Sequence, residues 1–233
     1  MNRRPRLLDL YCGAGGASVG YARAGFDVVG VDHVRQPHYP FDFVLYDALA
    51  VPLDFVQLFD VVHASPPCQA YSVLGKRWKD RTWPDLVADT REMLVASGRP
   101  YVIENVRGAP LHEPVLFCGG GYLPVVTCKD GKQRQVRRHR LFESSVPLMA
   151  YPCQHPFESL GVYGRGRWDA SAAPGRRGGY QGSAEENAEG MDVSWMNRDE
   201  LCEAIPPAYT EAIGWQLVAW LDAHGTPAES EVA

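Results

Sequence analysis

The sequence predicts an α/β fold: a mostly parallel sheet with helices on both faces and a small loop-rich insert. Three observations carry this. The first 106 residues alternate short apolar runs with helical segments, as parallel strands joined by crossover helices require. Glycines and acidic residues recur where those runs end. From about residue 151 glycine, arginine and polar residues take over, before apolar periodicity returns near the C-terminus.

The apolar runs at 7–11, 27–31, 43–45, 59–64 and 101–106 predict five short strands. Residues 17–24, closed by Gly25, predict a helix with a glycine cap, and 85–97 a second helix. Residues 115–149 read as strand-rich. The stretch 151–192, with Tyr163, Trp168 and Tyr180 among glycines and arginines, reads as an exposed insert with few apolar residues. After Pro206-Pro207 the run from Ala208 to Leu217 predicts a helix. The expected organisation is a main domain over 1–150, an insert over 151–192 and a segment over 193–233 that returns to the main domain.

A chain of 233 residues, 45% hydrophobic and 22% charged, is long enough for one well-buried α/β domain. No apolar run approaches the ~18 residues of a membrane helix. Met1-Asn2-Arg3-Arg4-Pro5-Arg6 passes straight into Leu7-Leu8-Asp9-Leu10, with no apolar signal segment, so a host or bacterial cytoplasm is expected and no membrane. The six cysteines do not read as a disulfide framework. Cys118, Cys128, Cys153 and His155 lack a close Cys-x-x-Cys pair, so scattered reduced thiols are expected and no metal is assigned.

The net charge of −5 is unevenly spread. Residues 183–233 hold eleven acids and one base, Arg198, which leaves +5 on the first 182. Lys132, Arg134, Arg137, Arg138 and Arg140 crowd nine residues without an acid, and Arg165, Arg167, Arg176 and Arg177 follow in the insert. Such patches suit phosphate contacts, or simply a solvated basic loop.

Leu8-Asp9-Leu10-Tyr11-Cys12-Gly13-Ala14-Gly15-Gly16 reads as a strand, a glycine-rich turn and a helix start. Turns of this kind bring backbone close to a ligand at the carboxyl edge of an open α/β sheet. Asp32 closes the next strand, where a carboxylate can accept ribose hydroxyls, and Asp47 follows the third, where it can accept from an adenine amino group. A nicotinamide dinucleotide site shares the glycine turn and the later acid. Two details favour S-adenosylmethionine instead. Ser18 replaces the third glycine of Gly-x-Gly-x-x-Gly, so no pyrophosphate needs the helix N-terminus, and Asp9 stands where a carboxylate can hold an amino-acid ammonium.

Asp60-Val61-Val62-His63-Ala64-Ser65-Pro66-Pro67-Cys68-Gln69 puts a cysteine just past the fourth strand, with two prolines fixing the backbone and directing the thiol outward. A free cysteine is usually a small buried hydrophobe; at a strand end beside a cofactor site that expectation reverses. Ile103-Glu104-Asn105-Val106 brings a glutamate to the same edge. Carbon 5 of cytosine is a poor nucleophile. A thiolate adding at carbon 6 makes it an enamine carbon able to attack a sulfonium methyl, and a carboxylic acid at ring nitrogen 3 lowers the cost of that addition.

These motifs resemble those of the DNA cytosine-5 methyltransferase family, most closely its compact phage-type members. Asp9-x-Tyr11-x-Gly13-x-Gly15-Gly16 is similar to the family's first motif, with tyrosine where phenylalanine usually stacks on adenine. Pro66-Pro67-Cys68-Gln69 matches the catalytic motif and Glu104-Asn105-Val106 the glutamate motif. Arg138-His139-Arg140-Leu141-Phe142 is similar to the Arg-x-Arg motif, and Ala204-Ile205-Pro206-Pro207-Ala208-Tyr209 to the last motif, which returns to the cofactor. The five occur in the family's order. Val136 stands where a glutamine is usual, beside Gln135, Asp32 where glutamate is commoner and Ala204 where asparagine is usual.

The resemblance implies a class I S-adenosylmethionine-dependent methyltransferase fold, Rossmann-like, with the insert as target-recognition region. It implies Cys68 as nucleophile, Glu104 as acid, and Arg138 and Arg140 as the groups orienting the base. Cofactor contacts are expected from Asp9, Tyr11, Cys12, Gly13, Ala14, Gly15, Gly16, Asp32, His33, Asp47, Ala48, Pro67, Ala204 and Ile205. The expected substrate is duplex DNA with the target base flipped out, in a restriction–modification system or in protection of phage DNA. The loop from Ala70 to Trp83, with Lys76, Arg77, Lys79 and Arg81, resembles the mobile loop that closes over that base, and Trp78 or Trp83 reads either as packing in the vacated space or as a buried anchor. No obligate protein partner is expected, and the chain should act as a monomer. The alternatives are a tRNA cytosine-5 methyltransferase and a non-catalytic cofactor- or nucleic-acid-binding regulator, which would leave Cys68 and Glu104 without a use.

Overall fold

The computed structural model describes residues 3–72, 82–162 and 180–225. The basic residues of the expected closing loop, with Trp78, and the arginines at 165, 167, 176 and 177 lie outside the described residues. In chain order the elements are β1 (Arg6–Leu10), α1 (Gly16–Arg23), β2 (Asp27–Asp32), β3 (Asp42–Leu45), α2 (Leu53–Val56), β4 (Val61–Ala64), α3 (Val87–Ser97) and β5 (Tyr101–Asn105). Then follow β6 (Val115–Phe117), β7 (Val125–Thr127), β8 (Gln133–Gln135), β9 (Arg140–Ser144), β10 (Glu158–Gly161), β11 (Tyr180–Gln181), α4 (Ala184–Met191), α5 (Arg198–Glu203) and α6 (Pro207–His224).

Seven strands form the main sheet in the order β3-β2-β1-β4-β5-β9-β6. The pairs among β3, β2, β1, β4 and β5 are parallel, while β9 runs antiparallel to both neighbours. Strands buried on both faces read as unbroken apolar runs, which is why β1, β2, β4 and β5 were legible; the edge strand β3 is largely exposed yet carries the apolar run Phe43-Val44-Leu45. Leu7, Val61 and Val102 face one core with α1 and α6, where Tyr21, Phe26, Phe117, Phe142, Tyr209 and Ile213 pack. Leu8, Leu10, Val62 and Ile103 face the other, against Phe59 and Leu94. The alternation is the period of two that a strand imposes.

On the first face α1 and α6 cross in close contact. A β-carbon on Gly20 would sit 2.1 Å from both the Pro207 carbonyl oxygen and Thr210 Oγ1, and that hydroxyl donates to the Ala17 carbonyl at 2.8 Å. The last helix starts as expected, with Pro207 in its first turn, but runs on to His224.

A second, four-stranded sheet has the order β11-β10-β8-β7 and joins strands from both sides of residue 150. Of the stretch expected to be exposed and loop-rich, residues 163–179 lie outside the described residues, while its two ends are ordered. Leu160, Val162 and Met191 are buried in the first core, and α4 and α5 each begin with a full capping box, Ser183 with Glu186 and Asn197 with Glu200. The basic cluster at 132–140 is not one phosphate-facing patch. Arg134 is buried, paired with Asp130 at 2.7 and 2.8 Å and lying 4.1 Å over the Tyr180 ring. Among the described residues no helix is long and apolar enough to cross a membrane.

Candidate active site

The carboxyl ends of β1, β2, β4 and β5 open onto a cavity of about 890 Å³. An open parallel sheet puts its ligand site at that edge because helix N-termini and loops converge there.

At one end is the turn after β1. Tyr11 takes a positive φ of 58° and its hydroxyl meets Thr90 Oγ1 of α3 at 3.0 Å, so the extra oxygen relative to phenylalanine anchors the ring. Gly13, at φ 50°, donates its N–H to Asp32 Oδ2 at 3.0 Å, and Val34 N–H donates to Asp32 Oδ1 at 2.9 Å. Asp32 therefore shapes the turn as well as lining the cavity. Cys12, Ala14, Gly16 and His33 line the cavity too, and burial pushes the Cys12 thiol well up. Gly15 starts α1 in the left-handed region at φ 85°.

Asp9 is fully buried. Ser18 Oγ donates to its Oδ2, while Oδ1 has no hydrogen-bond partner among the described residues. Burial raises its pKa to about 7, against the lowering effect of the Ser18 bond. A buried carboxylate oxygen without a partner is costly unless a ligand cation or donor meets it. An ammonium is such a cation, so the residues present fit the amino-acid end of S-adenosylmethionine.

Two expected contacts fall elsewhere. Asp47 is exposed, caps the turn over Ala48–Ala50 by accepting from Leu49 N–H at 3.0 Å, and does not line the cavity. Ala48 is buried in the second core. Ala204 and Ile205 do line the cavity, and Trp195, which sequence reasoning missed, donates its indole N–H to the Ala14 carbonyl at 2.8 Å.

At the other end lie Pro67, Cys68, Glu104, Arg138 and Arg140, with Trp83 at the wall. The loop carrying Cys68 is tied to the strand carrying Glu104, because Asn105 Nδ2 donates to the Pro66 carbonyl at 2.9 Å. Arg140 Nε lies 2.9 Å from Glu104 Oε1. Burial raises the Glu104 pKa, with Arg140, Arg138 and a Ser65 hydrogen bond opposing it. The Cys68 thiol is likewise pushed up by burial and by Glu104, while Arg140 and Arg138 pull it down.

Arg138, at φ 23°, turns its guanidinium onto the C-terminal segment, donating to the Ala204 and Cys202 carbonyls at 2.8 and 2.7 Å. Burial pulls its pKa down to about 9, so it stays charged at neutral pH. Gln135 is buried and donates to the Leu123 carbonyl at 2.6 Å, while Val136 lines the cavity.

A buried chain behind Glu104 was not foreseen. His63 is fully buried, with Nδ1 2.9 Å from Tyr21 Oη and Nε2 2.8 Å from Ser65 Oγ. Burial lowers its pKa to about 3, so the ring is neutral. If Ser65 donates to Glu104, its oxygen must accept from His63 Nε2–H, and Nδ1 then accepts from Tyr21. The signal was a histidine inside an apolar strand, which needs buried partners.

The family model of C-5 cytosine-specific DNA methylases matches residues 5–114. The Type II methyltransferase M.XorII of Xanthomonas oryzae pv. oryzae is 30% identical over 182 residues, covering 64% of this chain and 43% of that protein. M.HgiGI of Herpetosiphon aurantiacus is 31% identical over 119 residues, covering 46% of this chain and 94% of that protein. The match spans less than half the length of M.XorII and of M.HgiDI, 43% and 38%. The crystal structure of the S. pombe Dnmt2 methyltransferase shares the fold, with a TM-score of 0.50, 11% identity and coverage of 96% of this chain and 100% of that one. Shared sequence over β1 to β5 and near-complete coverage of one relative place this chain in the C-5 cytosine-specific DNA methylase family.

Proposed function

We propose that this chain is an S-adenosylmethionine-dependent DNA (cytosine-5-)-methyltransferase acting through a covalent Cys68 adduct. One observation carries the reading: a cysteine and a buried glutamate from neighbouring strand ends share a cavity with the glycine turn and Asp9. Asp9 would hold the ammonium of the cofactor, and Asp32 with the turn at Gly13 the ribose. When bound, S-adenosylmethionine supplies an electrophilic methyl group.

The residues then divide the work. Cys68 Sγ, as the thiolate, adds to carbon 6 of a flipped-out cytosine. Glu104, whose pKa burial raises, acts in its carboxylic-acid form and gives its proton to ring nitrogen 3, so the ring electrons collect at carbon 5 without charge build-up. Arg140 holds the Glu104 carboxyl and favours the thiolate. After the methyl is in place, solvent water takes the carbon 5 proton, the electron pair left behind forms the carbon 5–carbon 6 double bond and expels Cys68 as the thiolate, and the nitrogen 3 proton returns to Glu104. Arg138 is a positioning residue that latches the C-terminal segment over the cavity.

Residues 151–192, with β10 and β11, are the proposed target-recognition part, 1–150 the catalytic part and 193–233 the segment that closes the cofactor side. The substrate is duplex DNA, the acting unit a monomer, and the setting a cytoplasm with a restriction–modification system or phage DNA to protect; the relatives' description as Type II methyltransferases supports this.

The test is transfer of a labelled methyl from S-adenosylmethionine to mixed-sequence duplex DNA, with tRNA and Cys68→Ala alongside. Label is expected in DNA and lost at least ~10³-fold in the variant. Label in tRNA alone would change the substrate, and full activity of Cys68→Ala would remove the covalent mechanism.

A further inference from the structure

A second cluster of reactive side chains lies outside the cavity. Cys118 directly follows β6, His139 directly precedes β9, and Cys153 and His155 sit in the extended stretch leading to β10. Their tips converge. Cys118 Sγ is 3.2 Å from His155 Nε2, and His139 Nε2 is 3.2 Å from Cys153 Sγ. His155 Nε2 is also 3.5 Å from Cys153 Sγ and 3.2 Å from His139 Nε2. All four donor atoms lie within 4.8 Å of one another.

Hydrogen bonding cannot account for this grouping. A ring nitrogen carries one proton or one lone pair, yet His155 Nε2 faces three partners. A central cation gives each donor one bond. Zinc bonds of about 2.3 Å to sulfur and about 2.0–2.1 Å to nitrogen imply tetrahedral edges of roughly 3.3–3.8 Å, close to the separations here. Two thiolates and two neutral imidazoles also balance a divalent charge.

The backbone is built to bring the four together. The turn Gly119–Gly121 presses so tightly on its neighbours that a β-carbon on Gly120 would lie 1.7 Å from the Gln154 carbonyl oxygen. Cys128, grouped with the others by sequence, is instead buried in the core, where its sulfur lies 4.0 Å from the Val126 carbonyl, and His139 takes its place.

We propose that Cys118, His139, Cys153 and His155 form a structural zinc site that pins the segment before β10 to the turn presenting Arg138 and Arg140. Four protein ligands leave no open position, so the ion braces and does not react. The sulfur and imidazole donors select zinc over the oxygen-seeking cations. Loss of the ion frees His139, and with it the arginines on either side.

The full chain, purified without chelator or metal-affinity capture, is expected to carry about one zinc per chain by mass spectrometry of the metal. Cobalt exchanged into it should show the visible bands of a tetrahedral thiolate site. Cys153 is exposed, so Cys153→Ser disturbs no core; zinc affinity, read by competition with a chromophoric chelator, should fall more than about tenfold. His155→Ala should do the same, and Cys128→Ala should keep the metal. Protein without zinc both as purified and after zinc loading, unchanged affinity in Cys153→Ser, or a Cys118–Cys153 disulfide in the unreduced mass would each overturn the proposal.

Discussion

A carboxyl sealed from water sets the electrostatics of the cofactor end. Asp9 in the free protein is about half protonated near neutrality, because burial lifts its pKa to about 7. Holding an ammonium requires the ionised form. Below pH 7 binding must then expel the Asp9 proton, so affinity should rise as pH rises towards 7, by up to about tenfold per pH unit. Calorimetry of S-adenosylmethionine binding at pH 5.5–7, in two buffers of different ionisation enthalpy, should show this proton release, and Asp9→Asn should bind weakly with no release. Affinity flat across that window would mean the ammonium sits elsewhere.

Single residues of the candidate site were legible wherever the cue is a short string of sequence, and the cavity brings several of these together. Cys68 after two prolines, Glu104 closing a strand and the Gly13–Gly16 turn needed no partner from afar. Trp195 on the Ala14 carbonyl, the Tyr21–His63–Ser65 chain and the cysteine–histidine quartet depend on segments far apart in sequence, which spacing alone does not bring together.

Among elements, the five parallel strands were readable from apolar runs, and β7 and β8 only as part of a strand-rich stretch, whereas β10, a four-residue strand that is half polar, has no such signature. The capping boxes of α4 and α5 were present in the sequence and would have marked both helices. The α1–α6 crossing offers a measurable contest. Gly20→Ala gains about 1 kcal/mol of helix propensity, yet forces a methyl against the Pro207 carbonyl and Thr210 hydroxyl. Overpacking of that kind costs about 1–3 kcal/mol, so net destabilisation is expected, read as a lower urea midpoint with unchanged slope. A higher midpoint would show that α6 yields easily.

For the whole molecule, the position of β9 has a consequence for synthesis. β5 lies inside the sheet only because β9, which arrives some forty residues later, pairs along its free side from Val102↔Ser144 to Asn105↔Leu141. Until Ser144 has left the ribosome the nascent sheet ends in an apolar strand with a row of unpaired backbone groups, the kind of edge that recruits strands from other chains. A chain stopped after residue 114 should therefore aggregate when expressed alone, by light scattering and soluble fraction, although it holds the whole match to the family model. Supplying the remainder as a separate polypeptide should rescue it in part. A soluble, monomeric 1–114 fragment would show that the edge is protected some other way. The half of the chain that reads most clearly as a methylase is thus the half least able to exist by itself, and its folding waits on the half that reads least clearly.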